Sequence, residues 1–219
     1  NGAGKTTLFN VIAGRFRPTS GDVRVKGHSV RRLGQMRMNR LGVGRTFQVA
    51  RPFRSLTVAD NVRLAAASHR YGRSPRMLRL RRFDRAVRER ADALLELVDL
   101  VDVAGRPASD LNMGSLRRLE AARALASEPE ILLLDEPAAG IGADGIRPLA
   151  RLIEKIAAGG TTVLLVEHHV GFALALCDRV VVLDEGRKIA EGVPDEIRRD
   201  ERVIEAYLGE APPAPVAEQ

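Results

Sequence analysis

The sequence predicts an α/β fold, in which a mainly parallel sheet forms the core and a helical subdomain is inserted at about residues 57–107. Two observations favour this fold. Short apolar runs at residues 131–134 and 161–166 are typical of strands that are buried in a parallel sheet. Helical patterns fill residues 57–107 and separate the N-terminal part of the chain from those strands. We therefore expect the core to comprise residues 1–56 and 108–209.

Local signals predict the elements of the N-terminal half. Thr57 is a suitable N-cap, and Asp60 follows at the third helical position. Val23 and Val25 alternate with polar residues, which indicates a short, half-exposed strand. The predicted helices cover residues 6–13, 57–67, 83–98 and 115–126, and strand-like patterns cover residues 19–27 and 41–48.

The C-terminal half is predicted in the same way. A helix over residues 145–158 ends at Gly159 and Gly160, which stop helices. The buried strand at residues 161–166 comes next, and a hairpin joins residues 180–183 to residues 187–191 through Glu185 and Gly186. The Pro/Ala-rich tail at residues 210–219 is expected to be disordered.

The first seven residues, NGAGKTT, match the end of the phosphate-binding pattern G-x-x-x-x-G-K-S/T. In this pattern, backbone N–H groups surround phosphate oxygens, a lysine reaches the outer phosphates and a hydroxyl binds Mg²⁺. The first glycine of the pattern would lie two positions before Asn1, so we expect the chain to be truncated within the motif. We call a chain that includes this glycine the extended chain. The predicted nucleotide-binding residues are Asn1, Gly2, Ala3, Gly4, Lys5, Thr6 and Thr7, with Thr6 also at Mg²⁺.

Two adjacent carboxylates follow the apolar run at residues 131–134. Ligands of open α/β sheets bind at the C-terminal ends of the strands, where Asp135 and Glu136 are expected to lie. Asp135 could hold Mg²⁺ through water, and Glu136 could orient or deprotonate an attacking water. The alternative is a solvated acidic strand end without a ligand. The presence of a phosphate loop with Lys5 in the same chain weakens that alternative. Both segments predict a nucleoside triphosphatase with a P-loop NTPase-like core.

The positive charge of the chain is localised. Residues 63–90 contain ten arginines and two acids, a net charge of +8, whereas the whole chain of 219 residues carries +7. Such a segment could bind nucleic acid, could face anionic lipid, or could be a solvated helical surface. The Phe, Tyr and Trp residues of this segment are only two, Tyr71 and Phe83. So few aromatic side chains argue against a surface on which single-stranded bases stack.

The remaining composition narrows the class of protein. No apolar run approaches the ~18 residues that cross a bilayer. No signal peptide is visible, so we expect a soluble chain whose membrane role would need a partner. The single cysteine excludes an internal disulfide and suits a reducing compartment.

The order of these motifs resembles the ATP-binding cassette family, whose ATPase subunits drive membrane transporters. Lys5, Gln48, the segment at residues 111–114, Asp135 and His168 follow one another at the family's spacing. The finer matches are most similar to the ATPase subunits of branched-chain amino acid importers: RTFQ at 45–48, RRLEAARAL at 117–125, DEPAAG at 135–140, VEH at 166–168 and AYLGE at 206–210. The resemblance covers essentially the whole chain.

The resemblance implies a role for each matching residue. Gln48 would contact Mg²⁺ and the attacking water, Glu136 would be the catalytic base and His168 the switch histidine at the γ-phosphate. His169 receives no role, because adjacent residues of a strand face opposite sides. Members of the family form dimers in which one subunit's signature segment covers the nucleotide of the other; here that segment supplies Asn112, Gly114 and Ser115. Asn112 and Met113 depart from the usual S-G-G-Q, and Gly142 replaces an Asp or Asn that contacts the partner, so the rate of hydrolysis stays open.

The resemblance also implies cofactors, partners and location. The cofactors would be ATP and Mg²⁺. The partners would be transmembrane permease subunits, a second ATPase subunit and, indirectly, a periplasmic solute-binding protein, at the cytoplasmic face of the inner membrane. Three alternatives stay open: an exporter ATPase such as a lipid-export motor, a soluble ATPase of nucleic acids or translation, and a non-hydrolysing regulatory cassette. Asn112 and Gly142 favour the regulatory cassette, whereas Glu136 and His168 oppose it. Nucleic acid is not expected, because neither a second cassette nor a long coiled coil is present.

Overall fold

The computed structural model describes residues 2–46, 52–71 and 85–207, which form two compact units. The larger unit contains the described residues of Phe9–Val166, and the smaller unit contains those of Asn1–Leu8 and Glu167–Gln219. Helix α1 (Lys5–Ile12) begins in the smaller unit and ends in the larger one. Asn1, Gln48 and the predicted disordered tail lie outside the described residues.

The larger unit contains two kinds of sheet and most of the helices. Its elements in chain order are β1 (Arg24–Val25), β2 (His28–Ser29), α2 (Gln35–Arg40), β3 (Val43–Arg45), α3 (Val58–Tyr71), α4 (Arg85–Leu97), α5 (Met113–Leu125), β4 (Ile131–Asp135), α6 (Ala143–Ala158) and β5 (Thr162–Val166). Single 3₁₀ turns occur at Val30–Arg32, Val101–Val103 and Ala108–Asp110. The elements of the smaller unit are α7 (Val170–Leu176), β6 (Val180–Asp184), β7 (Arg187–Gly192), α8 (Pro194–Arg199) and α9 (Glu201–Tyr207).

A parallel sheet with the order β3-β4-β5 confirms the predicted α/β core. Strand β4 is its middle strand, and Leu132 and Leu133 are completely buried. Leu133 shares a hydrophobic cluster with Phe9 of α1 and Val43 of β3. The apolar run at 131–134 is therefore covered on both faces of the sheet, as a central parallel strand requires.

Strand β5 differs from its prediction as a buried strand. Its residues are exposed or half-buried, and Leu164 is 38% exposed. Among the described strands, β5 pairs only with β4, so it forms an edge of this sheet. An apolar run indicates a strand, but it does not distinguish a central position from an edge position.

The helical segment begins where the sequence predicts. Thr57 accepts a hydrogen bond from the Asp60 N–H at 3.0 Å through its hydroxyl, so it caps α3 as expected. Helix α3 packs against α4 and α5, with Val58 and Val62 completely buried. Thr57 also forms an isolated antiparallel bridge with Pro107, so the two ends of the predicted subdomain lie side by side. The boundary of that subdomain at about residues 57–107 stays a prediction.

The smaller unit contains the predicted hairpin. Strands β6 and β7 pair antiparallel, and the turn between them uses Glu185 and Gly186 with φ angles of 44° and 78°. Positive φ at both central residues is typical of a tight hairpin turn that matches the twist of the strands. The hairpin packs on a small core formed by Leu174, Ala190, Ile197 and Val203.

Candidate functional site

The phosphate loop has the backbone that its glycines allow. Gly2 and Gly4 have φ angles of 95° and 81°, in the left-handed region that favours glycine. The Leu8 N–H donates to the Gly4 carbonyl at 2.9 Å, and α1 begins at Lys5, one residue before its predicted start. Ala3 is buried, whereas Thr6 and Thr7 are exposed. The loop thus ends at a helix N-terminus, where free N–H groups favour an anion.

The acidic pair lies at the C-terminal end of the central strand. Asp135 is the last residue of β4 and is only 1% exposed. Glu136 follows it with a φ of 47°, which is uncommon for a residue other than glycine. Its N–H donates to the Val166 carbonyl of β5 at 2.9 Å, and its carbonyl accepts from the Ala139 N–H at 3.1 Å. The neighbouring strand therefore holds Glu136 in a strained conformation of the kind that is common at functional sites.

Asp135 forms a buried ion pair that the sequence analysis missed. Arg45 donates from one terminal nitrogen to Asp135 Oδ2 at 2.9 Å and from the other to Asn10 Oδ1 at 2.8 Å. The Arg45 side chain is 11% exposed, and its guanidinium lies 5.6 Å from the centre of the Phe9 ring. The only signal for Arg45 in the sequence is its position in RTFQ, three residues before Gln48.

Glu167, His168 and His169 form a cluster in the smaller unit. The Glu167 side chain is fully buried, and its Oε2 accepts hydrogen bonds from the N–H groups of His168 at 3.2 Å and His169 at 3.5 Å. The two imidazole rings lie 4.3 Å apart, centre to centre. The prediction that His168 and His169 face opposite sides is therefore wrong. Its physical reason is that β5 ends at Val166, so the alternation of a strand does not extend to these residues.

The signature segment forms the start of helix α5. Asn112 is the N-cap, and its Oδ1 accepts a hydrogen bond from the Ser115 N–H at 2.8 Å. A Cβ added to Gly114 would meet only Asn112 Oδ1 at 3.7 Å and the Gly145 Cα at 4.0 Å. The described chain therefore leaves room for a side chain at Gly114, and its backbone does not need positive φ. If glycine is required at this position, the reason would be the close approach of another molecule.

The cap supports a stability prediction. Replacing Asn112 by Ala should lower the free energy of unfolding by about 1 kcal/mol, because the Ser115 N–H loses its acceptor. Asn112→Ser is the matched control, since serine caps helices about as well as asparagine. Urea denaturation followed by circular dichroism measures both variants. Equal stabilities for the Ala and Ser variants would contradict a capping role.

A cavity of about 430 Å³ opens within the larger unit. It is lined by Arg45 and Thr46 from the end of β3, by Ser68 and His69 of α3, and by Arg123 of α5. Burial lowers the pKa of the Arg123 guanidinium, while the nearby Glu120 carboxylate opposes this shift. The cavity thus has charged and polar side chains among its lining residues, and it is lined both by the sheet and by the predicted helical segment.

Part of the arginine-rich segment lies among the described residues, and there its charges have partners. Arg63 pairs with Asp60 at 3.4 Å and with Asp92 at 3.9 Å. Arg90 donates to the Leu125 carbonyl at 3.0 Å. These contacts favour the interpretation as a helical surface for the described arginines. No helix in the described ranges is both long and apolar enough to cross a membrane.

The predicted site residues belong to different units. Gly2, Ala3, Gly4, Lys5, Thr6, Thr7 and His168 lie in the smaller unit, and Asn112, Gly114, Ser115, Asp135 and Glu136 lie in the larger unit. The residues Asn1 and Gln48 lie outside the described ranges, so their predicted roles stay predictions. Gly142 is the N-cap of α6 and offers no side chain there.

Comparison with known proteins gives consistent matches along the chain. The profile of the ABC transporter family matches residues 1–139, and that of the branched-chain amino acid ATP-binding cassette transporter matches residues 187–212. The chain is 42% identical over 218 residues to the high-affinity branched-chain amino acid transport ATP-binding protein LivG of Salmonella typhimurium, with 96% of this chain and 85% of LivG covered. It is 34% identical over 210 residues to the lipopolysaccharide export system ATP-binding protein LptB of Haemophilus influenzae, with 96% and 83% covered.

Solved structures agree with this assignment. The ADP conformation of an ATP-binding cassette of an ABC transporter superimposes with a TM-score of 0.79 and 29% identity, and 96% of this chain and 85% of that chain are covered. The chain belongs to the ABC transporter family and is an ATP-binding cassette ATPase, a subunit type that functions with permease subunits and a second ATPase subunit.

Proposed function

We propose that the chain is the energy-coupling ATPase subunit of an importer of branched-chain amino acids or related small solutes. The observation that carries the proposal is the 42% identity to LivG over 96% of the chain. The separate match of residues 187–212 to the branched-chain cassette profile supports the same substrate class. The chain itself would not touch the solute, which the permease subunits would carry.

Lys5 and Thr6 are proposed to act on the same Mg·ATP as Asp135 and Glu136. Lys5 would bind the β- and γ-phosphates. The backbone N–H groups of the loop would surround the phosphate oxygens, and they belong to Asn1, Gly2, Ala3, Gly4 and Thr7. When bound, Mg²⁺ would neutralise charge on the phosphate oxygens. The Thr6 hydroxyl, Gln48 and Asp135 are oxygen donors, which Mg²⁺ prefers. Oδ1 of Asp135 is the one buried side-chain oxygen without a hydrogen-bond partner in the described ranges, and this fits a metal-bound water as its partner.

Glu136 is proposed as the general base for hydrolysis. It would orient the attacking water and accept its proton, a role worth ~10²–10⁴ in rate. His168 would donate a hydrogen bond to the γ-phosphate, and Gln48 would contact both the metal and the water. The left-handed backbone of Glu136 supports this role, because strain of this kind is kept where a side chain must point in a defined direction.

The second ATPase subunit is proposed to complete each nucleotide site. Asn112, Gly114 and Ser115 would face the ATP that is bound by the partner subunit. The room beside Gly114 supports this role, because a Cβ there would meet nothing closer than 3.7 Å among the residues that the structure describes. A glycine that its own chain does not require fits a close approach by a phosphate of another subunit.

The cavity beside Thr46 is proposed as the docking site of a permease segment. It is lined both by the core strand β3 and by helices α3 and α5. When ATP binds, helices α3 and α5 would move relative to the sheet, and a permease segment bound in the cavity would move with them. Energy coupling requires such a change between two states that ATP favours differently. The chain would thus lie at the cytoplasmic face of the inner membrane, and a periplasmic solute-binding protein would deliver solute to the permease.

Purification of the tagged extended chain from detergent-solubilised membranes of its own host tests this function. Permease subunits should co-purify, and ATP hydrolysis should require Mg²⁺. The rate should rise when the binding protein is added together with leucine, isoleucine or valine. Lys5→Ala should abolish nucleotide binding while the permease subunits still co-purify.

The nearest alternative is an export motor, which the 34% identity to LptB favours. In that case the complex would contain an export permease, and branched-chain amino acids with a binding protein would leave the ATPase rate unchanged. An export permease in the complex would reject the importer function while keeping the ATPase. An unchanged rate with an import permease in the complex would reject only the branched-chain amino acids as substrates. Failure of the purified complex to hydrolyse ATP at all would reject both the importer and the export motor.

A further inference from the structure

Arg45 makes three contacts that the proposed function does not use. Its two terminal nitrogens bind different partners, Asp135 Oδ2 at 2.9 Å and Asn10 Oδ1 at 2.8 Å. Its guanidinium lies over the ring of Phe9, at 5.6 Å from the ring centre. Phe9 and Asn10 are consecutive residues of α1, so this one helix holds the arginine on two sides.

The sheet explains why Arg45 reaches Asp135. In the parallel register, Arg45 of β3 is opposite Leu133 of β4. Asp135 lies two residues beyond Leu133, and residues two apart along a strand share a face of the sheet. Arg45 and Asp135 are therefore diagonal neighbours on one face of the sheet, and the Thr46 N–H bond to the Leu133 carbonyl at 3.0 Å fixes this register.

The pair is buried and engages only one carboxylate oxygen. The side chains of Arg45 and Asp135 are 11% and 1% exposed. Arg45 uses Oδ2, while Oδ1 has no hydrogen-bond partner in the described ranges although it is buried. A guanidinium can bind both oxygens of a carboxylate, but here its second terminal nitrogen is taken by Asn10. The contact with Asn10 thus occupies the second terminal nitrogen, and the buried Arg45 Nε has no hydrogen-bond partner in the described ranges, so no nitrogen of Arg45 engages Oδ1.

We propose that Arg45 is a positioning residue for the metal of Mg·ATP. It neutralises the buried carboxylate through Oδ2 and keeps Asp135 in one orientation, with Oδ1 reserved for the metal side. Asn10 and Phe9 in turn hold Arg45, so Asn10 also contributes to the orientation of Asp135. The inference rests on the proposed function, in which Asp135 serves Mg²⁺. Removal of an outer-shell partner of a metal site typically changes metal affinity by ~10–100-fold, and Arg45 would be such a partner, acting through Asp135 and the metal-bound water.

Nucleotide binding as a function of free Mg²⁺ tests this inference in the extended chain. A fluorescent ATP analogue at fixed concentration is the probe, and the half-saturating Mg²⁺ concentration is the readout. Arg45→Met should raise this concentration ~10–100-fold. Arg45→Lys keeps the charge but loses the planar fork that binds two partners, so it should raise it as well. Asn10→Ala should raise it without changing Asp135 or Arg45. Analogue binding in EDTA should stay as in the parent chain.

Arg24→Met is the matched control, because Arg24 forms an exposed ion pair with Asp22 in the same unit. It should leave the half-saturating Mg²⁺ concentration unchanged. If Arg45→Met does not fold, Arg45→Lys and Asn10→Ala decide the question. Folded variants that keep the parent Mg²⁺ dependence would overturn the inference, as would a lower half-saturating concentration. A parent chain that shows no Mg²⁺-dependent binding would instead reject the proposed function.

Discussion

Replacing Glu136 by Gln in the extended chain is expected to reduce ATP hydrolysis ~10²–10⁴-fold while ATP binding persists. The loss corresponds to about 2.7–5.4 kcal/mol of activation free energy. An amide has nearly the same shape as a carboxylate and still binds water, but it does not accept the proton. ATP would therefore stay bound, and we expect the dimer that it holds together to accumulate.

The structure makes this substitution a sharp test. Glu136 is fixed by backbone hydrogen bonds to Val166 and Ala139, and neither bond involves its side chain. The Gln variant should therefore keep the backbone of the site. Single-turnover hydrolysis measures the chemical step, and light scattering with ATP present measures the dimer. Glu96→Gln, the same change at an exposed position of α4, should leave both unchanged.

A hydrolysis rate for Glu136→Gln within a few-fold of the parent would remove Glu136 from the role of base. A low hydrolysis rate without a stable ATP-bound dimer would support Glu136 as the base, but it would contradict the expected accumulation of the dimer. The departures at Asn112 and Gly142 bear on this second result, because both residues belong to segments that would meet the partner subunit.

Replacing Leu133 by Ala is expected to lower the free energy of unfolding by about 2–5 kcal/mol. Leu133 is completely buried in the central strand and packs in the cluster with Phe9 and Val43. Truncation would leave a cavity beneath helix α1 and beside the strand that positions Asp135. Domains of this size are commonly stable by only ~5–15 kcal/mol, so the loss is a large share of the total.

Leu164→Ala is the matched control for this prediction. Leu164 is opposite Leu133 in the register of β4 and β5, but it is 38% exposed. The same truncation there should cost about 1 kcal/mol or less in residues 1–219, because it removes little buried surface. Urea denaturation of both variants gives the comparison. Equal losses would show that β4 is not the central strand of the core.

Several parts of the fold could be predicted from the sequence because their causes are local. A hydroxyl at Thr57 caps α3, and the Glu185–Gly186 turn closes the hairpin of β6 and β7. The unbroken apolar run of β4 predicted its burial, and the family motifs in their order predicted the ATPase. The cap and the turn depend on a few neighbouring residues, and the family motifs are recognised by their residue types and by their order along the chain.

Other parts depended on how distant segments meet. The apolar composition of β5 predicted burial, but its position beside a single described partner leaves Leu164 partly exposed. The two histidines were assigned opposite faces because a strand was assumed to continue through them, whereas the strand ends at Val166. Strand edges and strand ends are set by pairing, and the sequence of one strand does not contain its partner.

The amino-acid sequence alone predicts the chemistry of the protein: a phosphate loop ending in Lys5 and Thr6, an acidic strand end, and the order of motifs that identifies an ATP-binding cassette. These properties follow from residue types within short motifs and from the order of the motifs along the chain. The groups that surround Asp135, in contrast, are evident only in the folded chain. Asn10, Arg45 and Asp135 are separated by 35 and 90 positions in the chain, and they meet because the parallel register and the packing of α1 bring them together. No local pattern encodes such a contact, since it depends on where three separate elements pack.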